Sequence, residues 1–320
     1  MESAALAIRA AAPSWVLIAA RGSSDNAARY AQYLLGARNR LGVGLAVPSL
    51  FTLYQAPPRL DGALVIGISQ SGQSPDVVSV LAEAARQGAV TLAVTNDPES
   101  PLARTASHTL PLLAGEERAV AATKTYSAEL FVLAMLSAEL DGDESTRGEL
   151  RGVVDRVREA IELNRDLDHA ASLFRDAQKF VVLGRGFNYA TAFEVALKIK
   201  ETSYALAEPY SIADFLHGPV AMIDRGFPVI LVAPAGKASV DVPKLLDLLE
   251  ERGARLAAIS DDGAVLSRAQ ACLRLPPAVP EWLSPLVAIA PGQLWASALA
   301  RARGQDPDRP RGLTKITLTR

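Results

Sequence analysis

Apolar and polar positions alternate along this chain in blocks of two kinds. Unbroken apolar runs of strand length occur at Trp15-Val16-Leu17-Ile18-Ala19-Ala20, Ala63-Leu64-Val65-Ile66-Gly67 and Val90-Thr91-Leu92-Ala93-Val94. Runs of that length and composition predict strands buried on both faces. Between them the apolar spacing is helical. Glu2 to Ala11 is alanine-rich and stops before Pro13, Asn26 to Leu35 places Ala27, Tyr30, Ala31, Leu34 and Leu35 on one face, and Val77 to Arg86 forms a third helix. Thr109-Leu110-Pro111-Leu112-Leu113 reads as an edge strand, because its proline cannot donate to a ladder, and Ala121 to Leu140 as a long helix. Strands alternating with crossover helices predict a parallel sheet covered on both faces.

The pattern then recurs. A polar break at Asp141-Gly142-Asp143-Glu144-Ser145 precedes an amphipathic pattern from Glu149 to Leu163, after which the apolar runs begin again. Laying Leu17-Ile18-Ala19-Ala20-Arg21-Gly22 over Val181-Val182-Leu183-Gly184-Arg185-Gly186 gives an offset of 164 (186 − 22), and Gly72 against Gly236 gives the same 164 (236 − 72). The reading is two doubly wound α/β domains in tandem, each with a parallel, flavodoxin-like sheet. Their expected limits are 1–145 and 176–303, with a helical linker over 146–175 and a closing tail over 304–320.

Composition narrows the function classes. With 320 residues, 49% hydrophobic and 21% charged, the chain has material for two cores and is not disordered. A net charge of −2 offers no basic face to nucleic acid or to an anionic membrane surface, so neither is expected as a partner. The apolar runs read as strand-length, so no membrane-spanning helix is expected and the expected location is the cytoplasm. One cysteine, Cys272, and three histidines supply neither an internal disulfide nor a zinc-type cluster, and no metal or other cofactor is expected.

Candidate chemistry gathers first at Ile68-Ser69-Gln70-Ser71-Gly72-Gln73-Ser74, between an apolar run and a helical pattern. Hydroxyls, a Gln amide, a permissive Gly and the free N–H groups of a helix start make a cup suited to a phosphate. An ordinary serine helix cap accounts for the same residues. No Lys or Arg stands within the turn, so the donors would be neutral. The second copy carries Ala233-Pro234-Ala235-Gly236-Lys237-Ala238 instead, without a hydroxyl, which favours one phosphate site in the first copy. Titratable groups gather in the second copy: Lys198 and Glu201, three apart on one helical face, and His217 before Gly218-Pro219. A surface ion pair and a structural histidine are the plain alternatives, and for the polar tail beyond Gly304 it is disorder.

These residues carry a resemblance. Gly22-Ser23-Ser24, Ser69-Gln70-Ser71-Gly72, Ala121-Ala122-Thr123-Lys124, Leu183-Gly184-Arg185-Gly186, Ala196-Leu197-Lys198-Ile199-Lys200-Glu201, Leu216-His217-Gly218-Pro219 and Pro310-Arg311-Gly312-Leu313-Thr314-Lys315 occur in the order found in the sugar isomerase (SIS) family. The chain resembles in particular the isomerase half of glucosamine-6-phosphate synthase and the stand-alone deaminases of that type. The resemblance implies that Ser69, Gln70, Ser71 and Ser74, with Ser24, hold a sugar phosphate, and that Gly22, Ser23, Val120, Ala122 and Thr123 line the rest of the substrate site. It implies that Glu201 moves protons between C1 and C2 beside Lys198, and that His217 assists ring opening from the neighbouring subunit of a homodimer. It also implies that Lys315 forms a Schiff base at C2.

Each role has a chemical rationale. An aldose–ketose shift needs one carboxylate to carry a proton between adjacent carbons, and pyranose opening needs a group that both accepts and donates. Ala122 departs from the serine of the synthase, and no glutaminase cysteine is present. The expected activity is therefore conversion of glucosamine 6-phosphate to fructose 6-phosphate and ammonia. A fructosamine-phosphate deglycase or plain phosphosugar isomerase is the enzymatic alternative, and a non-catalytic sugar-phosphate sensor the alternative of another class.

Overall fold

Six-residue apolar runs with no polar interruption can satisfy their backbone only inside a sheet covered on both sides. The computed structural model describes residues 1–314 and contains two such sheets. The first is formed by β1 (Trp15–Ala19), β2 (Gly42–Leu45), β3 (Ala63–Ile68), β4 (Val90–Thr95) and β5 (His108–Pro111), in the order β2-β1-β3-β4-β5. The second is formed by β6 (Lys179–Gly184), β7 (Leu206–Ser211), β8 (Pro228–Val232), β9 (Arg255–Ser260) and β10 (Ala271–Arg274), ordered β7-β6-β8-β9-β10. Every pairing is parallel. The two sheets thus share one topology, the flavodoxin-like doubly wound order.

Residues 1–148 and 149–312 form two compact units, divided within the helix Glu144–Leu163. In the first unit Leu17, Val65 and Ala93 of the sheet pack with Val77, Val80, Leu81 and Leu102. In the second, Val181, Leu183, Val229 and Leu231 pack with Phe215, Leu245 and Leu249. In each, the order reverses between the first and third strands, and helices leaving those two strands depart to opposite faces. That reversal opens a crevice at the strands' carboxyl ends. Trp15 pairs with Ala63 and Ala19 with Gly67, so the segment after Ala19 and the serine turn after Ile68 leave the same edge of the sheet side by side.

Two strands escape a pattern search. β2 is a glycine-containing four-residue strand, and β7 carries Glu208 and Pro209, which read as part of a polar connection. Both are edge strands, where one backbone side needs no partner and half-exposed positions need no apolar run.

The expectation that apolar runs are only strand-length is corrected. Glu281–Ala302 is apolar and long enough to cross a membrane by length and composition, but most of it is buried inside the second unit. Its Trp295 stands edge-on to Phe174 and Phe180, with ring centroids 5.6 and 6.0 Å away, so it is a core helix whose apolar surface is covered by protein. Gly292, within helix Ser284–Ala302, lets the helix Tyr189–Ser203 come close: a Cβ there would fall 2.6 Å from Val195 Cγ2.

This contact makes a prediction with opposing contributions. Gly→Ala inside a helix ordinarily gains about 1 kcal/mol, whereas overpacking against a stiff β-branched side chain costs about 1–3 kcal/mol. Gly292→Ala is expected to lower the urea midpoint of the second unit, and Gly292→Ala with Val195→Ala to recover most of the loss.

Candidate active site

The turn after β3 is built by its own serines. Ser69 Oγ accepts the Gly72 N–H at 3.1 Å and lies 3.4 Å from Ser74 Oγ, and Ser71 Oγ accepts the Gln73 N–H at 3.3 Å. Gly72 has φ of +62°, and a Cβ there would collide with the side chain of Ser100; only glycine fits both demands. Thr95, at the end of β4, and Asn96 after it hold the Gln70 carbonyl from the other side. Ser74 occupies the N-cap position of helix Pro75–Arg86 without a side-chain cap bond. The plain capping role is therefore not what its hydroxyl does here. Ser71, used as an acceptor by a backbone N–H, keeps its own hydroxyl hydrogen to donate.

The turn itself contains no Lys or Arg, but an arginine reaches the helix that follows it. Arg21, following β1, places Nε 2.6 Å from Asp76 Oδ2. Asp76 is fully buried in the first turn of the helix, where its Oδ1 also accepts the Val77 N–H. A carboxylate at a helix N-terminus is favoured by the helix dipole, and the guanidinium offsets the charge that would otherwise repel an anion. The second unit has a similar pair in Arg185 and Asp241; the arginines stand at the offset of 164 (185 − 21) and the aspartates one further on at 165 (241 − 76).

The other residues of the first unit sort by their partners. Ser24 is buried and its hydroxyl donates to Glu129 Oε1 at 2.7 Å, so a phosphate would compete with a buried carboxylate for that hydrogen. Gly22 and Ser23 open the helix Ser23–Asn39, with Gly22 at φ of +57°. Val120, Ala122 and Thr123 lie in the loop before helix Lys124–Asp141, which begins three residues later than its pattern suggested. Glu117 shapes that loop: its Oε2 accepts the N–H of Thr123 at 3.2 Å, the N–H of Thr125 at 2.9 Å and the Thr125 hydroxyl at 2.9 Å.

In the second unit Lys198 is far from a surface pairing. Its side chain is 3% exposed, with Nζ 2.5 Å from Glu201 Oε2 and 3.3 Å from Glu194 Oε1; Glu194 is fully buried and Glu201 is 23% exposed. Burial by itself pushes the ammonium's pKa down, but Glu194 and Glu201 outweigh it and hold Lys198 above the ordinary lysine value. Lys198 is thus a fixed cation in the neutral range, and its place is to position Glu201. Without it the carboxylate would face the negative end of the helix Tyr189–Ser203 alone. Glu194, four residues before Lys198, completes the trio and was missed.

His217 follows the short helix Ile212–Leu216, is exposed, and its imidazole has no hydrogen bond or ion pair to any described residue. It is therefore not a buried structural histidine. The tail is ordered as far as it is described: the Arg311 N–H donates to Tyr204 Oη at 2.8 Å, and the guanidinium lies 4.2 Å above the Tyr204 ring. Tyr204, at φ of +54°, ends the helix that carries Glu201. Lys315 lies outside the described residues.

Two doubly wound units, one ending β3 in a hydroxyl cup and the other carrying a buried ion trio, define a class of tandem α/β protein suited to a small anionic ligand. The chain belongs to the SIS domain family, whose profile matches residues 13–138 and again 173–298. It is 40% identical over 264 residues to the glutamine–fructose-6-phosphate aminotransferase (isomerizing) of Thermococcus kodakarensis, a match covering 80% of this chain and 44% of that protein. The chain spans about half the length of the curated relatives it matches. A crystal structure from Silicibacter pomeroyi, provisionally named a phosphosugar isomerase, is 35% identical with a TM-score of 0.86 and covers 96% of this chain and 92% of its own. The C-terminal domain of glucosamine-fructose-6-phosphate aminotransferase from Francisella tularensis is 29% identical with a TM-score of 0.85, covering 97% and 90%.

The ion trio sets the expected response to substitution and pH. Lys198→Met leaves Glu194 buried without its cation and should destabilise the second unit by roughly 3–5 kcal/mol, most of which the double variant Lys198→Met/Glu194→Leu should restore. Because the lysine's folded pKa is raised above its unfolded value of 10.5, its contribution is complete below that value and is lost as pH rises through the folded pKa. Urea unfolding across alkaline pH checks both: wild type should weaken at that end, and the double variant should lack the transition.

Proposed function

We propose that this chain is an amino-sugar phosphate deaminase–isomerase, converting glucosamine 6-phosphate and water to fructose 6-phosphate and ammonia. The observation that carries the reading is Glu201 held at 2.5 Å from the buried Lys198 ammonium, a carboxylate still partly open to a ligand. Moving a proton between C1 and C2 needs one such group, held in place and accessible. Ser69, Gln70, Ser71 and Ser74 bind the phosphate, with Ser24 and the loop Val120–Thr123 around the substrate. His217, exposed and without a hydrogen-bond or ion-pair partner among the described residues, opens the ring from the neighbouring subunit of a homodimer. After proton transfer, Lys315 displaces ammonia from the C2 imine to form a Schiff base that water hydrolyses to the C2 ketone with the lysine amine returned, and the Arg311–Tyr204 clamp anchors the segment leading to it. When this chain acts alone, with no ammonia donor supplied, mass action in water runs the reaction toward ammonia release. The amino-sugar assignment is supported by the relatives named for fructose-6-phosphate amination.

Incubation of the chain with glucosamine 6-phosphate should release ammonia and form fructose 6-phosphate in equal amounts. Interconversion of glucose 6-phosphate and fructose 6-phosphate without ammonia release would instead favour the plain isomerase. Glu201→Gln should lower turnover by the ~10²–10⁴-fold of a lost general base with affinity little changed. Ser71→Ala should do the reverse, weakening affinity by about 1–3 kcal/mol at a charged, desolvated contact. Mixing inactive Glu201→Gln and His217→Ala chains should restore up to about a quarter to a half of the activity if the histidine is donated between subunits; no restoration would place it in the same chain's site.

A further inference from the structure

At the counterparts of Ser69, Ser71 and Ser74 the second copy's turn has lost its hydroxyls, yet it holds an anion of the chain's own. Glu281, just before the core helix Ser284–Ala302, turns its carboxylate into the loop Pro234–Ser239, where Oε1 accepts the Ala238 N–H at 2.9 Å. The approach is close enough that a Cβ on Gly236, at φ of +158°, would fall 2.6 Å from Glu281 Cδ. By the repeat offset, Gly236 and Ala238 are the counterparts of Gly72 and Ser74. The carboxylate therefore sits against the same backbone positions as the ligand assigned to the first copy's cup. The space left beside it, bordered by Arg185, Phe187, Asn188 and Ser239, is about 10 Å³. That volume admits at most one water.

The first copy contains the same glutamate. Glu117 precedes Glu281 by 164 positions (281 − 117), but its carboxylate is bound to Thr123 and Thr125 of its own loop. An arginine–aspartate pair stands by each turn, Arg21–Asp76 with its aspartate buried and Arg185–Asp241 with its aspartate partly exposed. The copies thus differ in where one repeated carboxylate points: onto its own loop in the first, into the cup in the second.

We propose that Glu281 is a built-in anion that plugs a latent phosphate-binding cup in the second unit, so that each chain presents one phosphate site and not two. The equivalence to a phosphate rests on the reading of the Ser69–Ser74 turn given above. The plug itself is defined by the Glu281 contacts. Removing the carboxylate frees the Ala238 N–H, beside Arg185, for inorganic phosphate or the phosphate of a sugar, while the Ser239 hydroxyl stays donated to the Gly236 carbonyl and the Ala235 N–H to Asp261.

Inorganic phosphate binding, counted per chain by equilibrium dialysis, tests this in the full chain. Wild type should bind one phosphate, and Glu281→Ala should bind two, the second weaker by at least about tenfold because no side-chain hydroxyls replace the serines. Glu281→Ala/Ser69→Ala/Ser71→Ala should retain only the weak site. Equal stoichiometry in wild type and Glu281→Ala overturns the plug. No binding in wild type with one phosphate in Glu281→Ala overturns the first-copy reading and leaves the plug standing. Should Glu281→Ala fold poorly, formate provides a second readout, since a small carboxylate fills the space that the side chain vacates. The variant's melting temperature should then climb with formate concentration while wild type stays level, and a variant that neither formate nor phosphate stabilises counts against the proposal.

Discussion

One ammonium organises the chemistry of the second unit. Lys198 lies under the surface between Glu194 and Glu201, and neither its burial nor the position of Glu201 makes sense without the other two groups. A lone buried lysine would lose its proton, and a lone buried glutamate would gain one. Together they fix a charge of one sign at a stated place, with the net negative charge of the trio directed to its more exposed member. Helix Tyr189–Ser203, which carries this cluster, also packs on the apolar helix Ser284–Ala302, with Gly292 permitting the close approach to Val195, the neighbour of Glu194. A core contact and a chemical group are thereby coupled: what moves the helix moves the carboxylate.

The sheets supply the rest of the frame. In a doubly wound order the strand carboxyl ends diverge at one point, and whatever follows the first and third strands is brought there by topology alone. Arg21, Gly22 and the Ser69–Ser74 turn follow β1 and β3 for that reason, as do Arg185, Gly186 and the Pro234–Ser239 turn after β6 and β8. The fold prepares two equivalent places, and side chains decide what each one does.

Much of this was legible in the sequence, for identifiable reasons. Buried strands announce themselves as apolar runs, so β1, β3, β4 and β6 were plain, whereas β2 and β7 were hidden by their edge positions. The serine turn and the Lys198–Glu201 pair were visible as residue types at a fixed spacing. Their burial was not, because spacing on a helix says which residues share a face and not what covers that face. The helix Ser284–Ala302 was missed as a long apolar segment, since Pro285, Pro291 and Gly292 interrupt it in a way that reads as breaks. Arg21 with Asp76, and Ser24 with Glu129, join residues 55 and 105 positions apart; pairings at such distances are set by the fold.

The repeat also explains why the two chemistries are divided between copies. At the offset of 164, Glu194, Lys198 and Glu201 stand where the first unit has Tyr30, Leu34 and Ala37, and Tyr30 and Leu34 are wholly buried there. A tyrosine, a leucine and an alanine carry no buried charge to compensate, whereas three charges need one another. The reverse holds at the turns. A cup lined with hydroxyls tolerates water when no anion is present, because each hydroxyl can donate to it or accept from it. Without those serines the second copy's turn leaves the Ala238 N–H beside Arg185, and an acceptor of opposite charge is the group that satisfies it. Glu281 fills that requirement from within the chain. The loss of the serines and the inward turn of Glu281 are therefore one structural change seen from two sides, and the first copy, which kept its serines, has its own glutamate engaged elsewhere.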